Sequence, residues 1–237
     1  MAARQVALIV GAGSGLSAAL ARRAAARGMA VGLAARNTDK LAPLLAETKG
    51  RAWRCDVTDG AQVRALLDAA AAELGTPDLV VFNPSARTRG PFTELDPAAV
   101  QNTLLVAAFG GFLVAQEAVK AMLARPGGAS GSLFFTGASA SVKGYAQSAP
   151  FAMGKFALRG LAQSLARELQ PKNLHIAHFV IDGGIANRGR TGYEPDADGP
   201  DSRLDPDAIA QTYFALHDQP RSAWTWEVEL RPWVERF

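Results

Sequence analysis

Short apolar runs alternate along the whole chain with longer stretches in which apolar residues recur at helical spacing. Runs of four to seven residues that are almost entirely apolar predict strands buried on both faces, as in a parallel sheet. These predicted strands cover residues 6–10, 30–35, 52–55, 79–82, 133–136 and 175–181, and the alternation of apolar and polar residues over 224–230 predicts a final strand. Because helical stretches separate them, the pattern predicts an α/β fold: a doubly wound parallel sheet of about seven strands with helices on both faces.

Capping residues mark where the predicted helices begin and end. Asp59, Asp96 and Asp205 stand at helix starts, where a carboxylate can accept the free backbone N–H groups of the first turn. Proline follows the second and third of these aspartates, which is the position in a helix that tolerates it. The predicted helices cover residues 16–27, 38–49, 60–74, 97–123 and 151–169, and a last one begins at 206.

The stretch from residue 183 to residue 206 fits neither pattern. It is rich in Gly, Pro, Asp and Arg and has little apolar periodicity. A connection of this length within a compact domain is usually functional. We therefore expect 183–206 to be a substrate lid within a single domain that spans residues 1–237.

Composition and charge narrow the class of protein. The 237 residues are 49% hydrophobic and 20% charged, which is typical of a globular domain. The net charge of +3 is spread along the chain, so we expect no nucleic-acid partner. The single Cys55 cannot form an internal disulfide, and no Cys/His cluster predicts a metal site. With no signal peptide and no 18-residue apolar stretch evident, we expect a cytoplasmic protein without a membrane segment.

A glycine-rich turn follows the first predicted strand and leads into a helix. Its sequence runs from Gly11 through Ala12, Gly13, Ser14 and Gly15 to Leu16. A phosphate can approach the N–H groups at a helix N-terminus only where side chains are small or absent. The turn therefore predicts the phosphate site of a dinucleotide.

This turn resembles that of the short-chain dehydrogenase/reductase family, which reads Thr-Gly-x-x-x-Gly-x-Gly. Gly11 and Gly15 match it, while Val10 replaces the Thr and Ser17 the last Gly. The resemblance extends over about residues 4–230. It implies a Rossmann-like fold, a nicotinamide cofactor and a small-molecule substrate. It also implies a homodimer or homotetramer, with contacts through helices 97–123 and 151–169 and through the final strand.

The expected cofactor residues follow from matching the family position by position. No acidic residue ends the second strand; Arg36 stands there instead and can pair with a 2′-phosphate, so NADP(H) is favoured over NAD(H). Asp56 and Val57 match a pair that contacts adenine, and Asn83 matches the second Asn of the family's Asn-Asn-Ala-Gly. The expected cofactor-binding residues are Gly11, Gly13, Ser14, Gly15, Leu16, Arg36, Asn37, Asp56, Val57, Asn83, Lys155, Gly183 and Ile185.

The family's catalytic pattern is mostly replaced in this chain. The family uses an Asn, a Ser and a Tyr-x-x-x-Lys. Lys155 is retained, but Phe151 stands at the Tyr position, Ala138 at the Ser position and Ala107 at the Asn position. A phenyl ring cannot donate a proton, and alanine cannot polarise a carbonyl. The resemblance therefore identifies a member with a divergent active site.

Tyr145, ten residues before Lys155, is the candidate replacement for the missing acid. Enoyl and dienoyl reductases of the superfamily carry their tyrosine at other spacings upstream of the lysine. The alternative is that Tyr145 only packs beneath the lid. We expect Lys155 and Tyr145 to be catalytic in an NADP(H)-dependent oxidoreductase that acts on an activated C=C bond or an atypical carbonyl. The other open function is a non-catalytic NADP(H)-binding sensor or interaction protein.

Two histidines and one aspartate near the end of the sixth strand have weaker functional signals. Asp182 replaces the family's proline and is interpreted as a turn residue, with a proton relay as the alternative. His175 and His178 are expected to point to the same face of the strand and to serve the core or an interface.

Overall fold

A parallel sheet of seven strands forms the centre of the computed structural model, which describes residues 4–187, 189, 192–193 and 199–235. Its strands are β1 Val6–Val10, β2 Ala30–Ala35, β3 Arg51–Arg54, β4 Leu79–Phe82, β5 Gly131–Thr136, β6 Leu174–Ile181 and β9 Glu227–Leu230, and β7 Gly184–Ile185 and β8 Arg203–Leu204 form a separate pair. The strand order in the large sheet is β3-β2-β1-β4-β5-β6-β9, which confirms the doubly wound Rossmann-like sheet.

Helices cover both faces of this sheet. Asp59, Asp96 and Asp205 cap three of them, each carboxylate accepting one or two N–H groups of the first turn, as predicted. The helices are α1 Leu16–Ala26, α2 Ala42–Thr48, α3 Gly60–Glu73, α4 Pro97–Leu104, α5 Gly110–Leu123, α6 Ala149–Leu169 and α7 Pro206–His217. One core lies between the sheet and α1 and α7, and the other lies between the sheet and α3, α5 and α6.

Some predicted elements are shorter or interrupted. The helix predicted over 97–123 contains a π-helical turn, Leu105–Phe109, between α4 and α5. A short 3-10 turn, Asp39–Leu41, precedes α2 within the helix predicted over 38–49. The final strand is shorter than 224–230 because Gln219 hydrogen-bonds the Trp224 indole and the Thr225 backbone, which holds that stretch in a turn.

The two histidines of β6 point to opposite faces, so the expectation that they share a face is wrong. They are three residues apart, and side chains alternate along a strand. His175 stacks on Trp224 with ring centroids 4.7 Å apart, on the face where Phe134 packs. His178 lies on the other face, where its Nδ1 is 3.0 Å from a carboxylate oxygen of Glu227.

The helical run Pro97–Leu123 is long and apolar enough, with a mean hydropathy of 1.7, to cross a membrane. The expectation that the chain has no apolar stretch of 18 residues is therefore wrong. Within the fold, however, Val114, Ala115 and Ala118 are buried against the sheet, so this run occupies the position of a core helix. The expected cytoplasmic location remains a prediction.

Both ends of the expected lid are held near the carboxyl end of β6. β7 and β8 pair in parallel, Gly184 with Arg203 and Ile185 with Leu204. In an open α/β sheet, ligands bind beyond the carboxyl ends of the strands. The lid prediction also includes residues 188, 190, 191 and 194–198, which lie outside the described part of the chain.

Candidate functional site

The glycine turn between β1 and α1 presents backbone N–H groups at the start of the helix. Gly11 has a φ of +83°, and a Cβ there would lie 2.6 Å from the backbone nitrogen of Pro84, so only glycine fits. The N–H groups of Gly11 and Ala12 bond the carbonyl of Ala34. No hydrogen bond found within the described residues uses the N–H of residues 13–15. These groups are available to a phosphate.

Ser17, which replaces the family's last glycine, ties this turn to the end of β4. Its hydroxyl donates to the carbonyl of Gly11 at 3.0 Å and accepts from the amide of Asn83 at 2.7 Å. The backbone N–H of Asn83 in turn bonds Val10. Asn83 therefore supports the turn as well as lining the cleft beside it.

A cavity of about 360 Å³ beyond β2 and β3 collects the residues expected at the adenosine end, including Val57. Arg36 is exposed and enters none of the ion pairs found in the described chain. The Asp56 carboxylate accepts two hydrogen bonds from Thr58, which lower its pKa. Lys40 lines the same cavity although the sequence did not single it out. The pair Arg36 and Lys40 fits a 2′-phosphate.

Asn37 has a local role beside that cavity. Its side-chain oxygen accepts the N–H of Asp39 at 2.9 Å, which shapes the turn that carries Lys40. Asn37 is not among the residues that line the cavity.

An adjoining cavity of about 700 Å³ leads from the glycine turn to Lys155. Lys155 is only 2% exposed, and its ammonium donates to the backbone carbonyl of Thr136 at 2.8 Å. Burial, with a smaller contribution from the charge of Arg87, lowers the pKa of Lys155 to about 8. The expected cofactor residues Ser14, Leu16, Gly183 and Ile185 line this cleft together with Lys155.

The surroundings of Lys155 are apolar where the family has hydroxyl groups. Ala138 and Phe151 are buried and pack together with Ala140. Ala107 is fully buried in the π turn. It packs against α6 so closely that a Cβ added at Gly154 would lie 2.9 Å from the Cβ of Ala107. Neither side chain at the Tyr and Ser positions can exchange a proton.

Tyr145 does not line the cleft that contains Lys155. Its side chain is 45% exposed, and the Lys143 ammonium lies 5.9 Å from its ring centroid. That ammonium is also 3.4 Å from Oδ2 of Asp182, and the Arg231 guanidinium lies 3.2 Å from the same oxygen. The catalytic assignment of Tyr145 therefore stays a prediction. The two ion pairs show Asp182 to be a buried, charge-paired residue.

Sequence reasoning missed Arg87, Asn187 and Arg203, which all line the cleft. The Arg87 guanidinium lies over the ring of Phe151, 4.3 Å from its centroid. Asn187 accepts a hydrogen bond from the Ser14 hydroxyl at 3.0 Å, across the glycine turn. The only sequence signals were an arginine-containing segment after β4 and polar residues in the expected lid. Neither signal shows which way a side chain points.

Comparison with known proteins places these features in a family. A sequence model described as short chain dehydrogenase matches residues 5–190. D-threitol dehydrogenase of Mycolicibacterium smegmatis is 35% identical over 169 residues, which are 69% of this chain and 64% of that protein. Cis-4-hydroxycyclohexanecarboxylate dehydrogenase of Sinomonas cyclohexanicum is 37% identical over 69% of this chain and 67% of its own length. The match thus spans slightly less than two thirds of the first relative.

Solved structures give the same picture over nearly the whole chain. A short-chain dehydrogenase from Rhodopseudomonas palustris is 37% identical and superposes with a TM-score of 0.82, covering 97% of this chain and 99% of its own. A metagenomic short-chain oxidoreductase in complex with NADP is 26% identical, with a TM-score of 0.79 over 97% and 98% of the two chains.

Proposed function

The chain belongs to the short-chain dehydrogenase family of oxidoreductases, and we propose that it transfers hydride between NADP(H) and a small organic substrate. The observation that supports this most is the cleft that joins the glycine turn to Lys155. When bound, the cofactor supplies or takes up a hydride, so that it is oxidised as the substrate is reduced, or the reverse. Arg36 and Lys40, beside the neighbouring cavity, favour the phosphorylated form of the dinucleotide.

The chain's own residues would hold the two ends of the cofactor. By the family resemblance, Lys155 binds the ribose next to the nicotinamide, and the backbone at Gly183 and Ile185 binds the carboxamide. The free N–H groups of residues 13–15 bind the phosphates, with Asn187 across the turn from them.

Reduction also needs a proton, because hydride addition to C=C or C=O leaves an anion on the substrate. Lys155 is the candidate donor that lines the described cleft, and its environment favours release of a proton near neutral pH. Tyr145 is the second candidate, taken from sequence alone. We favour an activated C=C bond or an atypical carbonyl as the reducible group because Ala138 and Phe151 offer no hydroxyl to an ordinary ketone.

A second function, a non-catalytic NADP(H)-binding sensor or interaction protein, draws on one specific observation. Ala138 and Phe151 pack against each other, so the positions that carry the family's catalytic hydroxyls form part of a small apolar cluster. Such a protein would keep the cofactor site and lack turnover.

Two measurements test and separate these functions. Fluorescence titration with NADPH and with NADH should show tighter NADPH binding, and absence of binding by either would overturn both functions. A panel of enones, enoyl thioesters, ketones and imines with NADPH should then reveal turnover. Cofactor binding without turnover on any class would favour the non-catalytic protein.

We also propose that the chain forms a homodimer or homotetramer through α5 and α6. Phe109, Phe112, Met153 and Phe156 are large apolar side chains left exposed at this helical surface. Phe109 and Phe112 stack on each other, with centroids 6.0 Å apart. Exposed apolar clusters of this kind mark association surfaces. Light scattering should give a dimer or tetramer that Phe156→Glu weakens, and a monomeric wild type would contradict the proposal.

A further inference from the structure

The Arg87 guanidinium lines the cleft near Phe151 and Lys155. It lies over the face of the Phe151 ring, and the same ring centroid is 6.0 Å from the Lys155 ammonium. A cation–π contact of this kind stabilises and orients the planar group. Among the residues that the structure describes, no hydrogen-bond or ion-pair partner is found for Arg87.

The charges around Arg87 are unbalanced. The charged side chains that line the cleft, within the described ranges, are all cationic, and no carboxylate is among them: they are Lys40, Arg87, Lys155 and Arg203. A cleft lined by one sign of charge attracts ligands of the opposite sign. The phosphate groups of the cofactor are already provided for by the glycine turn and by Arg36 and Lys40. This leaves Arg87, which lines the second cavity and not the first, for another anion.

We propose that Arg87, supported by the Phe151 ring, binds a carboxylate group of the substrate. The planar guanidinium matches a carboxylate with two parallel hydrogen bonds, and a guanidinium stacked on an aromatic ring loses less freedom when it binds. Ala138 and Phe151, which line the cleft, provide an apolar surface for the hydrocarbon part of the same molecule. The inference rests on the proposed function and makes its substrate an organic acid.

Phe151 thereby has a role that its position alone did not suggest. An unsubstituted ring presents an apolar face that supports Arg87 and contacts the substrate. Replacing the ring by an aliphatic side chain should therefore weaken carboxylate binding even though no charge is removed.

Benzoate, benzyl alcohol and inorganic phosphate are suitable probes, measured by ligand-observed NMR on the full chain with NADPH present. Benzoate should bind the wild type, and Arg87→Gln should weaken it about tenfold, which corresponds to about 1.4 kcal/mol. Phe151→Leu should weaken it to a smaller extent. The matched control is Arg89→Gln, an exposed arginine in the same segment, which should leave benzoate binding unchanged. Benzyl alcohol, which has no carboxylate, should not distinguish Arg87→Gln from wild type.

Several results would overturn the assignment. These are an absence of benzoate binding, equal binding by wild type and Arg87→Gln, and a loss in Arg89→Gln as large as in Arg87→Gln. If inorganic phosphate displaces benzoate at equal concentration, Arg87 belongs to a phosphate site and not to a site for carboxylates.

NADPH titration of the same variants keeps this inference separate from the proposed function. Arg87→Gln should bind NADPH as wild type does; a matching loss of NADPH affinity would assign Arg87 to the cofactor and overturn the inference alone. If wild type binds no NADPH, the proposed function fails whatever benzoate does. Circular dichroism and thermal unfolding of each variant would verify that it is folded.

Discussion

The Lys155 ammonium donates a 2.8 Å hydrogen bond to the backbone carbonyl of Thr136, the last residue of β5. This is the one hydrogen bond found for the ammonium within the described chain, and the side chain is almost completely buried. A buried charge with so few partners is destabilising. Lys155 is therefore a group that the fold retains at a cost in stability, as is typical of functional sites.

Replacing Lys155 by methionine should raise stability and weaken cofactor binding. The folded-state pKa of Lys155, about 8, lies below its usual 10.5, so the wild type should gain up to about 3 kcal/mol of unfolding free energy as the pH rises from 8 to 10.5. The charge of Arg87 acts in the same direction, and His178, whose pKa is lowered to about 4, is neutral over this pH range. Urea unfolding at several pH values should show this rise in wild type and not in Lys155→Met. Equal pH slopes in the two proteins would contradict the assignment.

Replacing Arg36 by leucine should change the cofactor preference. If its guanidinium pairs with the 2′-phosphate, NADPH should bind about tenfold to a hundredfold more weakly, because a charge-assisted pair contributes about 1.5–3 kcal/mol. NADH binding should be unchanged. The control is Arg64→Leu, an exposed arginine on α3 that lies in neither cavity. Equal losses of affinity for NADH and for NADPH would show that Arg36 does not bind the 2′-phosphate.

Tyr145→Phe decides between the two candidate proton donors. Because the Tyr145 side chain is half-exposed and does not line the described cleft, we expect the variant to keep kcat within about twofold of wild type. A positioned general acid contributes about a hundredfold or more, so a loss of that size with KM unchanged would make Tyr145 the donor. The pH dependence of kcat gives a second readout: the fall in kcat as the pH rises above about 8, where Lys155 loses its proton, should persist in Tyr145→Phe.

Gly137→Ala should destabilise the protein. A Cβ at this position would lie 2.3 Å from Nε2 of His178 and 2.8 Å from the Phe179 carbonyl oxygen, so buried groups would have to shift. Overpacking of this kind costs about 1–3 kcal/mol. Gly144→Ala is the matched control, since nothing lies within 4 Å of its Cβ position. Chemical denaturation should separate the two variants, and equal stabilities would contradict the packing seen around His178.

Acidification should destabilise the fold through His178. Burial lowers the pKa of His178 to about 4, although Glu227 opposes the shift and Lys155 and Arg159 add to it. Between pH 6.5 and pH 4 the unfolded chain binds a proton here that the folded chain does not, so stability falls by up to about 3 kcal/mol over this range. Urea unfolding of His178→Gln should show a shallower acid slope. His175 and His217, whose pKa values burial also lowers, contribute to the slope that remains, as do the carboxylates of Asp56, Asp59 and Glu227, whose pKa values are lowered.

Local sequence determined most of the fold. β1, β2 and β4 are continuous apolar runs, and their bounds match the prediction because such a run is stable only between two covering layers. Asp59 and Asp96 cap their helices through contacts two or three residues away, which sequence can show. The π turn could not be predicted in this way, because Ala107 within it packs against Gly154 of another helix.

The site divides along the same line. The glycine turn was predictable because its function depends on backbone conformation within a few residues. Arg87 was not, because its position depends on how the segment after β4 crosses α6 and reaches the Phe151 ring. Tyr145 shows the converse: its side chain is near Lys155 in sequence but does not line the described cleft, and its catalytic role stays a prediction.

The pairing of β7 with β8 makes the intervening segment an exchangeable module. Its two ends are paired with each other by the β7–β8 ladder. Neither β7 nor β8 is a strand of the seven-stranded sheet. Doubling the length of a closed loop costs only about 0.6 kcal/mol of chain entropy. Segments of different length and composition can therefore be grafted between Asn187 and Arg203, which offers a route to altered substrate range while the glycine turn and its contact with Asn187 are retained.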